Sequence, residues 1–154
     1  EPKLQEHFQR DSEVFDHVIK CRQARDKAIS DEKKREYRKA ELEHLREATE
    51  IPIDISNLCM SLINYAIFIF DQGFTSARGD SGAAIASAIA GVTSGVFVAN
   101  LNLKSFGPSK WKAGIEQQCD SLLETLETKQ SEAFSKIVTL SEEEPDIRSF
   151  DFDN

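Results

Sequence analysis

The residue whose position first suggests chemistry is Asp11, which lies three residues after Phe8 and four before Phe15. At helical spacing the three side chains share one stripe, so the carboxylate lies in an apolar face. A carboxylate there is costly unless it is paired. It could pair with His7 or Arg10 and be structural, or it could act as a general base and stabilise a cation. The sequence leaves both interpretations open.

A second acidic candidate is Asp80, which directly precedes Ser81 and a long uncharged segment. Its side chain could cap that helix by accepting the first free backbone N–H groups, or it could supply a second carboxylate to a site. Arg78, two residues earlier, could bind an anionic group, as could Lys104 at the far end of the segment. Asn102 could close the last turn of the helix or bind a polar ligand.

Polar residues also follow one face of the apolar stretch that precedes Asp80. They are spaced by three, four and seven residues, which places them on one side of a helix. Such a row more often satisfies neighbouring helices than binds a ligand, but it could also line a cleft. The row consists of Asn57, Ser61, Asn64 and Asp71.

Neither the histidines nor the cysteines have the spacing of a metal site, so we expect no metal. The three cysteines are odd in number and widely separated, which argues against a disulfide framework and favours a reducing cytoplasm. No phosphate-binding loop, dinucleotide fingerprint or serine nucleophile motif occurs. The residues concerned are His7, His17, His44, Cys21, Cys59 and Cys119.

The elements that must position these side chains are all helices. Apolar residues recur at steps of three or four, and no segment alternates as a strand does. We expect Pro52 to end one helix and to allow another to begin. The sequence thus predicts an all-α antiparallel helical bundle with helices over 4–28, 31–50, 53–70, 82–103 and 111–140 and a loop at 73–79.

The segment from Gly82 to Leu103 has no charged side chain and is rich in alanine, glycine and serine. Its length would span a membrane, but small residues dominate it and the preceding apolar stretch is short for a span. We therefore expect a buried central helix rather than a membrane helix. Because small residues let backbones approach, we also expect the central helices of two copies to pack together in a homodimer.

Composition bounds the class of protein. The 154 residues include 19 Lys and Arg against 27 Asp and Glu, a net charge of -8, so no broad basic surface is available for nucleic acid. Residues 141–154 hold six acids against one arginine and are expected to form a flexible acidic tail. The expected single domain is residues 1–140.

The order of several motifs resembles that of the cyclodeaminase/cyclohydrolase family, which comprises formiminotetrahydrofolate cyclodeaminases and bacterial methenyltetrahydrofolate cyclohydrolases. The resemblance covers about Phe8 to Lys104. The residues that carry it are Asp11-x-x-x-Phe15-Asp16, Ala48-Thr49-x-x-Pro52, Gly73, Asp80-x-Gly82-x-Ala84 and Asn102.

The resemblance implies an all-helical dimer that hydrolyses or closes a one-carbon bridge on tetrahydrofolate, with the folate as substrate and neither metal nor cofactor. It assigns Asp11 and Asp80 to catalysis and Asn102 to substrate binding. Beside these we assign Arg78 and Asn64 to substrate binding, and Arg22, Arg25 and Lys104 are further candidates for the anionic glutamate by charge and position.

This chain departs from the family pattern at four polar positions. Two asparagines and a serine of the loop motif are replaced, as is the first asparagine of a later pair, and the Gly-rich segment that precedes Asp11 in relatives is absent from this sequence. Two classes of function therefore stay open, an active enzyme that acts on tetrahydrofolate or a related heterocycle and a non-catalytic dimeric scaffold or binding protein. The replacements are Phe74, Ser76, Gly79 and Val98.

Overall fold

The computed structural model describes the backbone of residues 2–142 and the side chains of residues 3–136 and 138. These residues form helices and no strand, which confirms the all-α prediction; the predicted tail from residue 143 onward lies outside the described residues. The helices are α1 (Pro2–Lys27), α2 (Asp31–Gln72), α3 (Arg78–Leu103) and α4 (Lys110–Glu142), with a short 3-10 turn at Thr75–Ala77.

Each helix packs on its neighbour in the chain, and α2 also contacts α4. The α1–α2 pair is antiparallel, because Arg10 reaches Glu47 whereas Arg22 reaches Glu41. The main core lies between α2, α3 and α4. A smaller core between α1 and α2 consists of Val14, Val18, Leu45, Ala48 and Ile51.

Helix α1 faces the bundle with a different stripe from the one expected. Phe8 and Phe15, which form the predicted apolar stripe, are exposed, as are Leu4 and Ile19 at helical spacing from them, whereas Val14 and Val18 are buried. The reason is that α1 packs on α2 alone within the described part of the chain, so only a narrow face is covered. The remaining apolar face of α1 is left open to solvent.

Pro52 lies inside α2 instead of ending a helix, so the two helices predicted over 31–50 and 53–70 are one. Proline has no N–H to give to the carbonyl four residues back, which here belongs to Ala48. The side chain of Asn102 supplies the missing donor, with Nδ2 3.1 Å from that carbonyl oxygen. Pro52 is itself buried, so packing against α3 holds the helix together at this point.

Helices α2 and α3 approach closely because glycine lies where they cross. A Cβ on Gly95 would come within 2.5 Å of the Pro52 carbonyl oxygen and would also meet Ser56 Oγ. Ser56 Oγ donates to the Pro52 carbonyl at 2.8 Å and lies 3.3 Å from the Val92 carbonyl. The predicted close approach of backbones at small residues is confirmed for this pair of helices.

The uncharged segment of α3 is buried on one face only, although we expected it to be covered all round. Ile85, Val92 and Ala99 face the core, whereas Phe97 and Leu101 are exposed. Two stretches, 31–72 and 75–103, are long and apolar enough to cross a membrane by length and composition, a test that core helices of soluble proteins also pass. The outer face of α3 therefore has no neighbour in the described chain.

Candidate functional site

Asp11 lies in the first half of α1, partly buried, and burial raises the pKa of its carboxyl above its ordinary value. The expected structural partner Arg10 is engaged elsewhere, since its Nε and Nη2 each lie 2.7 Å from Glu47 Oε1. The other expected partner, His7, has a buried Nδ1 with no hydrogen-bond partner among the residues that the structure describes. Asp11 forms no ion pair with any residue that the structure describes.

Asp80 lies exposed in the first turn of α3 and does not cap that helix. The cap position belongs to Ala77, because the 3-10 turn leads directly into a helix that starts at Arg78. The interpretation of Asp80 as an N-cap is therefore wrong, although its charge still favours the positive end of the helix dipole. The guanidinium of Arg78 lies 5.5 Å from the centre of the Phe70 ring.

The polar row of α2 divides into residues that bond within the fold and one that is open. Asn57 donates to the Ile53 carbonyl and Ser61 to the Asn57 carbonyl, both four residues back in the helix. Asp71 accepts from Lys136 of α4 at 2.7 and 2.6 Å. Asn64 lies exposed on the outer face of α2, so among the four it is the residue most available to a ligand.

The candidate residues fall at two ends of the bundle. Asn102 contacts Ala48, and Asp11 follows Arg10, which contacts Glu47, so both lie at one level of α2. Arg78 contacts Phe70 near the opposite end of α2. From Glu47 to Phe70 the helix extends about 35 Å at 1.5 Å per residue. One chain therefore does not bring Asp11 and Asp80 together.

Sequence analysis missed a buried acidic residue, Glu41, whose side chain is 1% exposed. Its Oε1 accepts from Arg22 Nε at 2.9 Å and Arg38 Nη1 at 2.7 Å, and its Oε2 accepts from Arg25 Nη1 at 2.6 Å. Burial raises the pKa of the carboxyl, but the three guanidinium groups together outweigh burial and hold the pKa below its usual range. Arg22 and Arg25, which the sequence offers as candidates for binding the anionic glutamate of a folate, thus both bind Glu41 within the fold.

The signal for Glu41 was present in the sequence. Glu41, Leu45 and Ala48 follow steps of four and three, so the acid lies on the buried stripe of α2. The same argument had singled out Asp11. The difference between them is the number of cations within reach, because Glu41 has three and Asp11 has no ion pair in the described part of the chain.

The side chains that the structure describes, those of residues 3–136 and 138, include no group of three or more His, Cys, Asp or Glu that could hold a metal ion. His17 and His44 stack with their ring centres 5.1 Å apart. Cys21, Cys59 and Cys119 are all free thiols. The candidate residues themselves carry carboxylate, amide and guanidinium groups.

A comparison with protein families matches residues 1–121 to the formiminotransferase-cyclodeaminase model. The chain belongs to the formiminotransferase-cyclodeaminase family. The predicted resemblance is thereby confirmed, and the match indicates a function related to folate one-carbon chemistry. A search of curated proteins found no match to the chain. In this cyclodeaminase-family chain the matched region contains all five candidate residues: Asp11, Asn64, Arg78, Asp80 and Asn102.

Proposed function

We propose that this chain acts on the one-carbon bridge of a tetrahydrofolate derivative, either hydrolysing a methenyl bridge or closing a formimino group into one with release of ammonia. The observation that carries the proposal is the environment of Asp11. Its carboxyl lies on the face of α1 that also carries the buried Val14 and Val18, has no cationic partner among the described residues, and has its pKa raised by burial. A carboxylate of this kind is suited to proton transfer and to binding a delocalised cation.

The proposed hydrolysis starts from the amidinium-like carbon of the methenyl bridge. Asp11 stabilises the cationic substrate and accepts a proton from water as the water oxygen bonds to that carbon. One C–N bond of the adduct then breaks, and the released nitrogen takes up the proton. A raised pKa makes Asp11 a stronger base than an ordinary aspartate, and Asp80 is the second carboxylate assigned to the reaction.

Three further residues are assigned to substrate binding. Arg78 offers a planar guanidinium to a carboxylate of the glutamate portion of folate. Asn64 and Asn102 offer amide groups to polar atoms of the heterocycle. The tetrahydrofolate derivative is the substrate, and the proposal uses no metal and no cofactor.

We also propose that the active form is a cytoplasmic homodimer that binds neither nucleic acid nor membranes. The support for a dimer is the set of large apolar side chains that the single chain leaves exposed on α2 and α3, since monomers rarely expose large contiguous apolar patches. These residues include Leu62, Tyr65, Phe97 and Leu101. Three free thiols suit a reducing compartment.

The test is the loss of methenyltetrahydrofolate absorbance in the presence of the purified protein, compared with a buffer blank. We expect acceleration by the wild-type chain and its loss in Asp11→Asn, with the helical circular-dichroism signal unchanged. Asp16→Asn is the matched control, because Asp16 lies on the same helix, exposed and paired with Lys20. No loss of methenyltetrahydrofolate absorbance, and no gain of it from formiminotetrahydrofolate, with the folded wild-type protein would overturn the proposal and favour the non-catalytic scaffold.

A further inference from the structure

The outer face of α3 carries a regular row of exposed side chains. They are separated by alternating steps of four and three residues, which is the seven-residue repeat of a helix that packs along another helix. The opposite face of α3 already packs on α2 and α4. The row consists of Ala83, Ser87, Ala90, Ser94, Phe97 and Leu101, all exposed.

Side-chain size along this row favours an antiparallel partner. The first four members are alanine or serine, and the last two are phenylalanine and leucine. Two copies that pack antiparallel about Val92 would set Ala83 against Leu101 of the partner subunit and Ser87 against the partner subunit's Phe97, so each large side chain meets a small one. A parallel pair would set Phe97 against the same residue of its partner and leave a gap between the alanines.

Charge favours the same orientation and the same register. No residue between Asp80 and Lys104 is charged, and the two lie equally far from Val92 in sequence. The antiparallel pair therefore places Asp80 against Lys104 of the partner subunit, and it opposes the two helix dipoles. A parallel pair would place like charges side by side. Two independent properties, size and charge, thus select one register.

We propose that a second copy of this chain covers this face of α3 in an antiparallel arrangement, and that each site combines Asp11 and Asn102 of one subunit with Arg78 and Asp80 of its partner. The pairing rests on α3 alone, whereas the role of the combined residues rests on the proposed function. The register sets Asp80 of the partner subunit near the last turn of α3, where Asn102 binds the Ala48 carbonyl. The two groups of candidate residues, which lie about 35 Å apart along α2 within one chain, thereby come together across the interface.

Cross-linking of the full chain tests the pairing without reference to activity. The variants Ala83→Cys and Leu101→Cys are each made in a Cys21→Ser background. Each variant is treated alone with a short bis-maleimide, and so is a mixture of the two variants. We expect a cross-linked dimer only in the mixture, because two copies of either position would lie about 27 Å apart across the axis. Ser87→Cys mixed with Phe97→Cys is a second pair for the case in which Leu101→Cys fails to fold.

Two control variants fix the interpretation of that experiment. Ala90→Cys lies next to the axis and is expected to cross-link to itself, whereas Thr128→Cys on the exposed face of α4 is not. Cross-linking of Ala83→Cys to itself would overturn the antiparallel arrangement. A monomer by light scattering, or no product from any α3 variant, would overturn the pairing.

Subunit mixing tests the combined site. In the proposed dimer, a mixture of Asp11→Asn and Asp80→Asn chains contains one intact site in each heterodimer, so co-expression in equal amounts restores about one quarter of wild-type turnover. No restoration alongside correct cross-linking would overturn the combined site. Absence of turnover in the wild-type dimer would instead overturn the proposed function, and cross-linking would still decide the pairing.

Discussion

Asn102 donates a hydrogen bond from Nδ2 to the carbonyl oxygen of Ala48 over 3.1 Å, and that oxygen is the one that Pro52 leaves without a helical partner. A side chain on α3 thus repairs the hydrogen-bond ladder of α2. The repair allows α2 to continue through a proline, and it fixes the end of α3 next to the region where α1 packs. Asn102 therefore has a structural role beside the substrate-binding role proposed for it.

We expect Asn102→Leu to lower the free energy of unfolding by about 1–3 kcal/mol, because it leaves a buried carbonyl without a donor. In a Pro52→Ala background the helix supplies its own N–H to Ala48, so the same substitution should be less harmful there. Urea denaturation of the four proteins gives the coupling energy. Equal losses in both backgrounds would contradict the repair.

We expect Glu41→Gln to lower the free energy of unfolding by about 2–3 kcal/mol at pH 7, since it leaves three arginines facing one another over a neutral amide, though each is partly exposed. Glu43→Gln is the control, since Glu43 is exposed and lies 4.0 Å from Lys39. Glu43→Gln should change the free energy of unfolding by no more than about 0.5 kcal/mol.

The stabilisation by Glu41 should also depend on pH in a defined direction. Its pKa is lowered by folding, so the contribution is complete above the unfolded value of about 4.3 and is lost as pH falls through the lower folded value. The difference in the free energy of unfolding between wild type and Glu41→Gln should therefore become smaller only at acidic pH. Urea denaturation at several pH values measures this difference. A difference that is unchanged at low pH would show that charge is not the cause.

The sequence was sufficient for the all-α class, because helical periodicity depends on local spacing. It was insufficient at Pro52, where the prediction of a break was wrong for a physical reason. Whether a proline ends a helix depends on what replaces its missing hydrogen bond, and here the donor is Asn102, some fifty residues later. The separation of Asp11 from Asp80 likewise depends on which levels of α2 the other helices contact.

The errors in the burial predicted for α1 and α3 have one cause. Apolar periodicity shows which residues avoid water but not whether the partner belongs to the same chain. Phe8 and Phe15 were expected in the core and Phe97 in a buried helix, and all three are exposed in the single chain. Periodicity therefore predicts the number of apolar faces more reliably than it predicts what covers them.

We expect Gly95→Ala to destabilise the fold by roughly 1–3 kcal/mol or more, because the new Cβ would collide with the Pro52 carbonyl, which is backbone and yields little. Gly82→Ala is a matched control on the same helix, where a Cβ meets nothing within 4 Å. It should raise stability by about 0.5–1 kcal/mol through helix propensity. Thermal unfolding followed by circular dichroism compares the two, and equal midpoints would contradict the close crossing.

At Asp11 the stability of the fold and the proposed chemistry favour opposite side chains. Because burial raises its pKa, the ionised carboxylate destabilises the folded state at neutral pH, so Asp11→Asn should increase the free energy of unfolding at pH 7 by roughly a few tenths of a kcal/mol while abolishing turnover. The gain should shrink as pH falls through the folded pKa and vanish below the unfolded value of about 3.9, where Asp11 is protonated in both states. Urea denaturation between about pH 3 and pH 8 measures the gain, with Asp16→Asn as the exposed control. A loss of stability at pH 7 in Asp11→Asn would show that the carboxylate has a stabilising partner, and would remove the main support for its role as a base.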